Sequence, residues 1–169
     1  KPSSAASDVY KRHITTGKEE KKGVVSTLII PDIAILDPDL MRDLPKNIAA
    51  ATGIDAMVHA IEAYTSKNPN NNYLTKLLAK EALTLLGRSI RIAVLRGSDR
   101  KARGEMLLGS MLAGMAFANS PVAAVHALAY PIGGSFHIPH GLSNALVLPA
   151  VLKFNSKNVS TCLLYTSPS

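Results

Sequence analysis

Residues 125–146 read VHALAYPIGGSFHIPHGLSNAL, and this stretch decides how the rest of the chain is interpreted. It holds three of the chain's five histidines in a context that is otherwise apolar and rich in small residues. A neutral imidazole is the most common metal ligand among side chains. His126 lies in a segment that predicts a short buried helix. His140 lies between a proline and a glycine, where a new apolar run begins.

The composition is that of a globular protein. Of the 169 residues, 47% are hydrophobic, which is enough for one core or for one domain and part of another. The longest apolar runs are well short of the ~20 residues that span a bilayer, and the N-terminus lacks the apolar core of a signal peptide. The single cysteine, Cys162, excludes an internal disulfide and fits a reducing compartment. We therefore expect a cytoplasmic protein that does not enter a membrane.

The formal net charge is +7, and part of it comes from a basic cluster within residues 88–103. On a helix and the loop after it, such charges usually form a solvated face. A nucleic-acid surface would add interleaved aromatic residues or a known motif, and the sequence has neither. Nucleic acid is therefore not an expected partner.

Hydrophobic patterns divide the chain near residue 45. Apolar and β-branched residues predict strands at 10–15, 24–30 and 32–36, and helical periodicity prevails from residue 46 onward. The predicted helices are 46–51, 54–65, 73–95, 99–118, 121–130 and 141–154. The last residues, CLLYTSPS, resemble a translated sequencing-library adapter, so we expect residues 161–169 to lie outside the fold.

A carboxylate and three imidazoles stand in apolar surroundings and form a candidate metal site. Asp55 and His59 lie four residues apart on a predicted helix, so their side chains share one face. Each of these residues, taken alone, could have a role other than metal ligand. Asp55 could cap or begin a helix, His126 could be a hydrogen-bonded core histidine, and His140 could be the first residue of a helix. Taken together, mixed N and O ligands suit Fe²⁺ or Zn²⁺. Periodicity does not show that the four side chains converge.

Several motifs resemble the iron-containing (group III) alcohol dehydrogenase family. Residues 52–64 (TGIDAMVHAIEAY) resemble its central signature, and residues 126–134 (HALAYPIGG) and 138–145 (IPHGLSNA) resemble its later motifs. Residues 31–38 (PDIAILDP) look like the strand that leads into its helical domain. The resemblance implies a mainly α fold of the dehydroquinate synthase type. Residues 1–45 would be a short β remnant of an α/β nucleotide-binding domain, and residues 46–160 a truncated, multi-helical metal-binding domain.

The resemblance assigns roles to the candidate residues. The implied metal ligands are Asp55, His59, His126 and His140. His137 falls in a variable part of the pattern and is interpreted as a loop residue. Some members carry a second histidine four residues after the ligand that matches His126, and here that position is Tyr130. Its phenol is either a buried aromatic or a catalytic group that donates a hydrogen bond or relays a proton.

The resemblance also implies the reaction and the cofactor. The metal would act as a Lewis acid in hydride transfer between a primary or short-chain alcohol or aldehyde and NAD or NADP. Lys21 matches a lysine that contacts the cofactor in the family, and its alternative is a solvated lysine. The family's Gly-rich phosphate loop is absent from the sequence. We therefore expect a fragment, inactive or barely stable by itself, of a protein that forms a homodimer or higher homo-oligomer. The alternatives are a maleylacetate reductase or glycerol dehydrogenase type, and a non-catalytic helical module.

Overall fold

The computed structural model describes residues 11–15, 21–25, 31–121 and 123–156, with the backbone alone for the first two segments. There, β1 (Lys11–Thr15) and β2 (Lys21–Val25) form an antiparallel two-stranded sheet. A short 3-10 helix, Pro38–Met41, leads into the helical domain. In the described part of the chain, the α-helices are α1 (Lys46–Thr65), α2 (Tyr73–Leu95), α3 (Arg100–Asn119), α4 (Ala124–Phe136) and α5 (His140–Ser156).

Helix α1 lies at the centre of the helical domain. It packs against α2 and α3, which also pack against one another, and against α5, which in turn contacts α4. One buried cluster joins α1, α2 and α3 through small residues and one ring: Ala60, Ala63, Ala79, Ala82, Ala113, Ala116 and Phe117. A second cluster joins α1, α4 and α5: Val58, Val125, Val147 and Val151. Because α1 contributes to both clusters, the polar residues it carries between them are drawn out of water.

A glycine allows α5 to begin directly against α1. A Cβ built on Gly141 would overlap the backbone carbonyl of Ala51 and lie 2.6 Å from its carbonyl carbon. No side chain fits at this position, so glycine is needed for a close approach of two backbones. The contact brings Asn144, one turn further along α5, to Asp55 on α1.

Polar side chains begin α2 and α3. Asn72 Oδ1 accepts a hydrogen bond from the backbone N–H of Thr75 at 3.0 Å. Asp99 Oδ1 accepts one from the N–H of Ala102 at 2.9 Å. Asn and Asp are favoured at this position because the first N–H groups of a helix have no partner within it.

The structure confirms a mainly helical fold, and α2 matches the prediction at both ends. Other boundaries were wrong, among them the helix start predicted at residue 121, which lies at Ala124. Residues 46–51 and 54–65, predicted as separate helices, form the single helix α1, because Gly53 is packed beneath Met106 and Ile90. The helix predicted to end at residue 130 runs through Pro131 to Phe136. Pro131 removes one backbone hydrogen bond, and the packing of Ile132 against the second apolar cluster offsets that loss.

The strand predictions have different outcomes. β1 confirms the strand expected at 10–15, while β2 covers only the beginning of the one expected at 24–30, whose remainder lies outside the described residues. The strand expected at 32–36 is wrong. Ile33 and Ile35 are 80% and 85% exposed, and among the described residues no strand pairs with this segment. A strand needs a partner for its backbone groups, and none is present there.

The assignment of residues 1–45 to a nucleotide-binding domain remains a prediction. Residues 161–169, predicted to lie outside the fold, are not among the described residues. No single helix in the described part of the chain is long and apolar enough to cross a membrane. The one pair of described helices that together reach such length and hydropathy, α3 and α4, is bent by 107°.

The basic cluster within residues 88–103 is not entirely a solvated face. Arg88 is more than half exposed and makes a bidentate ion pair with Glu105 at 2.8 and 2.9 Å. Arg103, by contrast, is buried, and its guanidinium donates to the carbonyls of Gly97 and Leu44. Tertiary contacts that the charge pattern does not reveal therefore place Arg103 inside the domain.

Candidate metal centre

Helix α1 carries three ionisable side chains on one buried face. Asp55, His59 and Glu62 follow one another at spacings of four and three residues, so they lie along one side of the helix. They are between 4% and 6% exposed. The ring of His59 stacks on Phe117 of α3 with centroids 4.6 Å apart and planes inclined by 15°. Its Nδ1 is buried and has no hydrogen-bond partner among the described residues.

Helices α4 and α5 bring two further imidazoles to this face. Nε2 of His126 and Nε2 of His140 each lie 3.5 Å from Oδ1 of Asp55. The rings of His59 and His126 stack with centroids 4.6 Å apart. Candidate ligand atoms of Asp55, His59 and His126 all lie within 4.8 Å of one another. The fold thus brings together the four residues that the sequence singled out.

The amide of Asn144 lies among the same atoms. Its Nδ2 donates to Asp55 Oδ1 at 2.5 Å and lies 3.2 Å from Nε2 of both His126 and His140. An amide nitrogen carries two protons and cannot satisfy three acceptors. The Oδ1 atom of Asn144 is itself buried without a partner among the described residues. The amide therefore cannot complete the hydrogen bonding of this group of atoms, although buried polar atoms are normally satisfied.

A divalent cation fits this arrangement. Two ligands about 2.1 Å from a tetrahedral metal lie about 3.4 Å apart, and both imidazole distances from Asp55 Oδ1 are 3.5 Å. A cation would use the lone pairs around Asn144 and would offset the charge of the buried carboxylate. One carboxylate with three imidazoles is a donor set that suits Fe²⁺ or Zn²⁺.

Glu62 links the site to the start of α4. Its Oε1 accepts the N–H of Val125 at 2.7 Å, and its Oε2 accepts the N–H of Ala123 at 3.0 Å. Oε2 also lies 2.7 Å from Nδ1 of His126. An ionised carboxylate only accepts hydrogen bonds, so Nδ1 of His126 donates to Glu62, and Nε2 is the nitrogen left to face Asp55. Since the N-cap residue, Ala123, makes no side-chain cap hydrogen bond, Glu62 also supplies that cap.

Burial and charge shift the pKa values of these groups in different directions. Burial lowers the pKa of His59 to about 4 despite the opposing attraction of Asp55. Burial raises the pKa of Asp55, but the hydrogen bond with His126 and the charges of the imidazoles bring it below its usual value. Burial also lowers the pKa of His126, and its bonds to Asp55 and Glu62 raise it above its usual value. The space between the two carboxylates thus favours a positive charge, whether from a proton or from a metal.

Tyr130 lies at the open side of the site. Its ring stacks on His140 with centroids 5.4 Å apart and is 50% exposed. Burial, together with the negative charges of Asp55 and Glu62, raises the pKa of the phenol. Tyr130 is therefore protonated near neutral pH.

Comparison with known proteins agrees with this architecture. The profile of the Fe-containing alcohol dehydrogenase family, C-terminal part, matches residues 49–163. This chain belongs to the iron-containing alcohol dehydrogenase family. It is similar to long-chain-alcohol dehydrogenase 1 of Geobacillus thermodenitrificans, with 47% identity over 152 residues, which are 90% of this chain and 38% of that protein.

Two solved structures share the fold. A 1,3-propanediol oxidoreductase has a TM-score of 0.77 and 44% identity, covering 81% of this chain and 35% of that one. A sulfoacetaldehyde reductase from Bifidobacterium kashiwanohense, solved in complex with NAD⁺, has a TM-score of 0.76 and 32% identity, covering 80% and 36%. The chain thus spans well under half the length of these relatives.

Two candidate residues of this iron-containing alcohol dehydrogenase domain remain, Lys21 and His137. Lys21 is the first residue of β2, and its side chain lies outside the described part of the chain, so its contact with a cofactor remains a prediction. His137 follows the last turn of α4 in the left-handed conformation, with φ of 54°. That is the loop position expected for it.

Sequence reasoning missed three residues of the site. Glu62 lies seven residues after Asp55, and Asn144 lies four after His140, so helical spacing alone could have placed each beside a ligand. Phe117 offers no such signal, because only the packing of α3 against α1 brings it to His59.

Proposed function

We propose that this chain is the metal-binding domain of a dehydrogenase that transfers a hydride between a primary or short-chain alcohol and NAD or NADP. The observation that carries the proposal is the meeting of Asp55 Oδ1 with Nε2 of His126 and of His140, each at 3.5 Å. These atoms come from three helices, and a purely structural core has no need to gather so many lone pairs at one point. Membership in the iron-containing alcohol dehydrogenase family supports the same function.

Four side chains would hold the metal: Asp55, His59, His126 and His140. Fe²⁺ is the proposed ion and Zn²⁺ the alternative. When bound, such an ion is a Lewis acid that lowers the pKa of an alcohol oxygen or polarises an aldehyde carbonyl. The ligand residues add one negative charge in all, because the three imidazoles bind in their neutral form. Most of the positive charge is therefore retained at the site.

Tyr130 would orient the substrate. Its ring is stacked on His140, and half of its surface is open to the side from which a ligand can approach. Because burial and the nearby carboxylates raise its pKa, the Oη atom keeps its proton. We propose that Oη donates a hydrogen bond to the oxygen of the bound alcohol or aldehyde.

The cofactor and the assembly are part of the same proposal. The sulfoacetaldehyde reductase relative was solved in complex with NAD⁺, which supports a nicotinamide cofactor here, with Lys21 as a candidate contact. We propose a small alcohol or aldehyde as the substrate and a homo-oligomer in the cytoplasm.

Metal analysis tests the site directly. The purified 169-residue chain is dialysed, its fold is checked by circular dichroism, and its metal is measured by mass spectrometry. We expect about one equivalent of Fe or Zn, since one ligand set is present. His126→Ala should lose it. His137→Asn should retain it, because Asn tolerates the left-handed conformation. A folded wild-type chain that binds no divalent metal refutes the proposal.

Hydride transfer needs a separate measurement. In the complete protein, reduction of NAD and of NADP is followed by absorbance with a series of primary alcohols. Turnover with at least one alcohol is expected, together with its loss in His126→Ala. A metal-loaded complete protein that oxidises no alcohol and reduces no aldehyde would refute the dehydrogenase activity while leaving the metal site intact.

A further inference from the structure

Glu62 stands out among the buried acidic groups because it contacts a candidate ligand without being one. It is 4% exposed, and both its oxygens are used. Oε1 accepts from Val125 N–H, and Oε2 accepts from Ala123 N–H and lies 2.7 Å from His126 Nδ1. Three donors around one carboxylate compensate its burial. The surroundings of Glu62 therefore stabilise an ionised carboxylate at this position.

We propose that Glu62 is a positioning residue that presents His126 to the metal in one tautomer and one orientation, and that it couples metal binding to the start of α4. This inference rests on the metal site of the proposed function. A histidine ligand normally donates its second ring N–H to a carboxylate or a carbonyl, which fixes the ring and makes the ligating nitrogen more basic. Glu62 is placed to do this for Nε2 of His126.

The second half of the inference comes from the start of α4. The first N–H groups of a helix need partners from outside it, and the N-cap residue of α4, Ala123, makes no side-chain cap hydrogen bond. Glu62, reaching across from α1, takes two of these N–H groups. One carboxylate therefore holds both the ligand and the backbone that carries it. Tyr130, one turn after His126, depends on the same anchor.

A simpler explanation is that Glu62 only caps α4 and has no influence on the metal. The two explanations differ in what a neutral isostere would do. In Glu62→Gln, the amide oxygen can accept one backbone N–H, so part of the cap survives. However, the negative charge beside His126 is lost, and the amide N–H₂ cannot accept from Nδ1. If Glu62 is only a cap, Glu62→Gln should mainly lower the free energy of unfolding. If Glu62 is a positioning residue, the substitution should change the His126 tautomer and weaken metal binding.

Zn²⁺ affinity is measured by competition with a chromophoric chelator, and Co²⁺ absorption reports the coordination geometry. We expect Glu62→Gln to remain folded and to raise the dissociation constant about 10- to 100-fold, the usual effect of removing an outer partner of a ligand. Glu105→Gln is the matched control. It removes one carboxylate of the same charge from a surface ion pair with Arg88 and should change the constant less than about twofold. A Glu62→Gln protein with wild-type affinity overturns the proposal.

The tautomer is measured without metal, so that this test stands even if the metal site fails. Because Asp55 and Glu62 raise the pKa of His126, the measurement is made at a pH high enough to leave its imidazole neutral. In ¹⁵N-labelled metal-free chain, the two ring nitrogens of His126 are assigned by NMR. We expect one tautomer with the proton on Nδ1 in the wild type, and a mixture in Glu62→Gln. If wild type binds no metal but shows the single tautomer, the proposed function fails and the orienting role of Glu62 remains. If the tautomer is mixed in wild type, the positioning role is refuted.

Discussion

The contact between Gly141 and the backbone of Ala51 should decide whether the metal centre can form. A methyl group on residue 141 would lie 2.6 Å from the Ala51 carbonyl carbon. Non-bonded carbon atoms prefer about 3.5–4.0 Å, so in Gly141→Ala the start of α5 must retreat by about 1 Å. No flexible side chain is present to absorb this shift, because the atoms it meets belong to the backbone of α1.

That retreat has a calculable effect on the site. His140 is the first residue of α5, and its Nε2 lies 3.5 Å from Asp55 Oδ1. Moving it by about 1 Å gives about 4.5 Å, which exceeds the roughly 4.2 Å between two ligands on opposite sides of one metal. We therefore expect Gly141→Ala to weaken Zn²⁺ binding about tenfold or more, since sites tolerate only about 0.5 Å of misplacement. Overpacking should also cost about 1–3 kcal/mol of unfolding free energy.

Chelator competition and urea unfolding measure the two effects. Gly87→Ala is the control, because a Cβ at this exposed position in α2 would meet nothing within 4 Å. It should leave affinity unchanged and raise stability by up to about 1 kcal/mol through helix propensity. If Gly141→Ala matches wild type in both affinity and stability, the close approach of α5 to α1 is not a requirement of the site, and the reasoning fails.

Three further outcomes follow from the structure. His59 has a pKa of about 4 in the folded chain against about 6.5 when unfolded, so its contribution to stability is present above pH 6.5 and is lost as the pH falls toward 4. This contribution amounts to about 3 kcal/mol at most. It is isolated by comparing the unfolding free energies of wild type and His59→Gln, measured in urea over that pH range. If the two free energies change with pH in the same way, the prediction is wrong. Tyr130→Phe keeps the ring on His140 and should hold Zn²⁺ affinity within about twofold, since a phenol outside the donor set is not a ligand; a tenfold loss would show that Oη takes part in binding. Asn72→Ala and Asp99→Ala should each lower the unfolding free energy by about 1 kcal/mol and add in the double variant, because the caps belong to different helices; strong non-additivity in urea unfolding would count against separate caps.

Local patterns in the sequence were enough to predict most of the helical domain. The run of apolar residues in α2 follows the helical period over successive turns, so it is readable without a fold. Where long-range packing competes with a local signal, the prediction failed. Gly53 and Pro131 both suggest a helix end, yet each lies inside a helix whose neighbours hold it in place.

At residues 32–36 the error was of another kind, because the predicted strand is not formed. Ile33 and Ile35 have the side chains of a strand, but a strand is a property of two paired segments, and the described residues offer this one no partner. Composition alone therefore predicted an element that needs a neighbour to exist.

The sequence by itself determined which chemistry is available: a carboxylate and a histidine one turn apart in α1, and two histidines in the apolar stretch of residues 125–146. Only the tertiary structure decided that these groups meet. Convergence depends on Gly141 admitting α5 to the backbone of α1, and on Glu62 holding His126 by its other nitrogen. Both are contacts between residues far apart in the chain, and helical periodicity, which relates positions along one helix, carries no information about them.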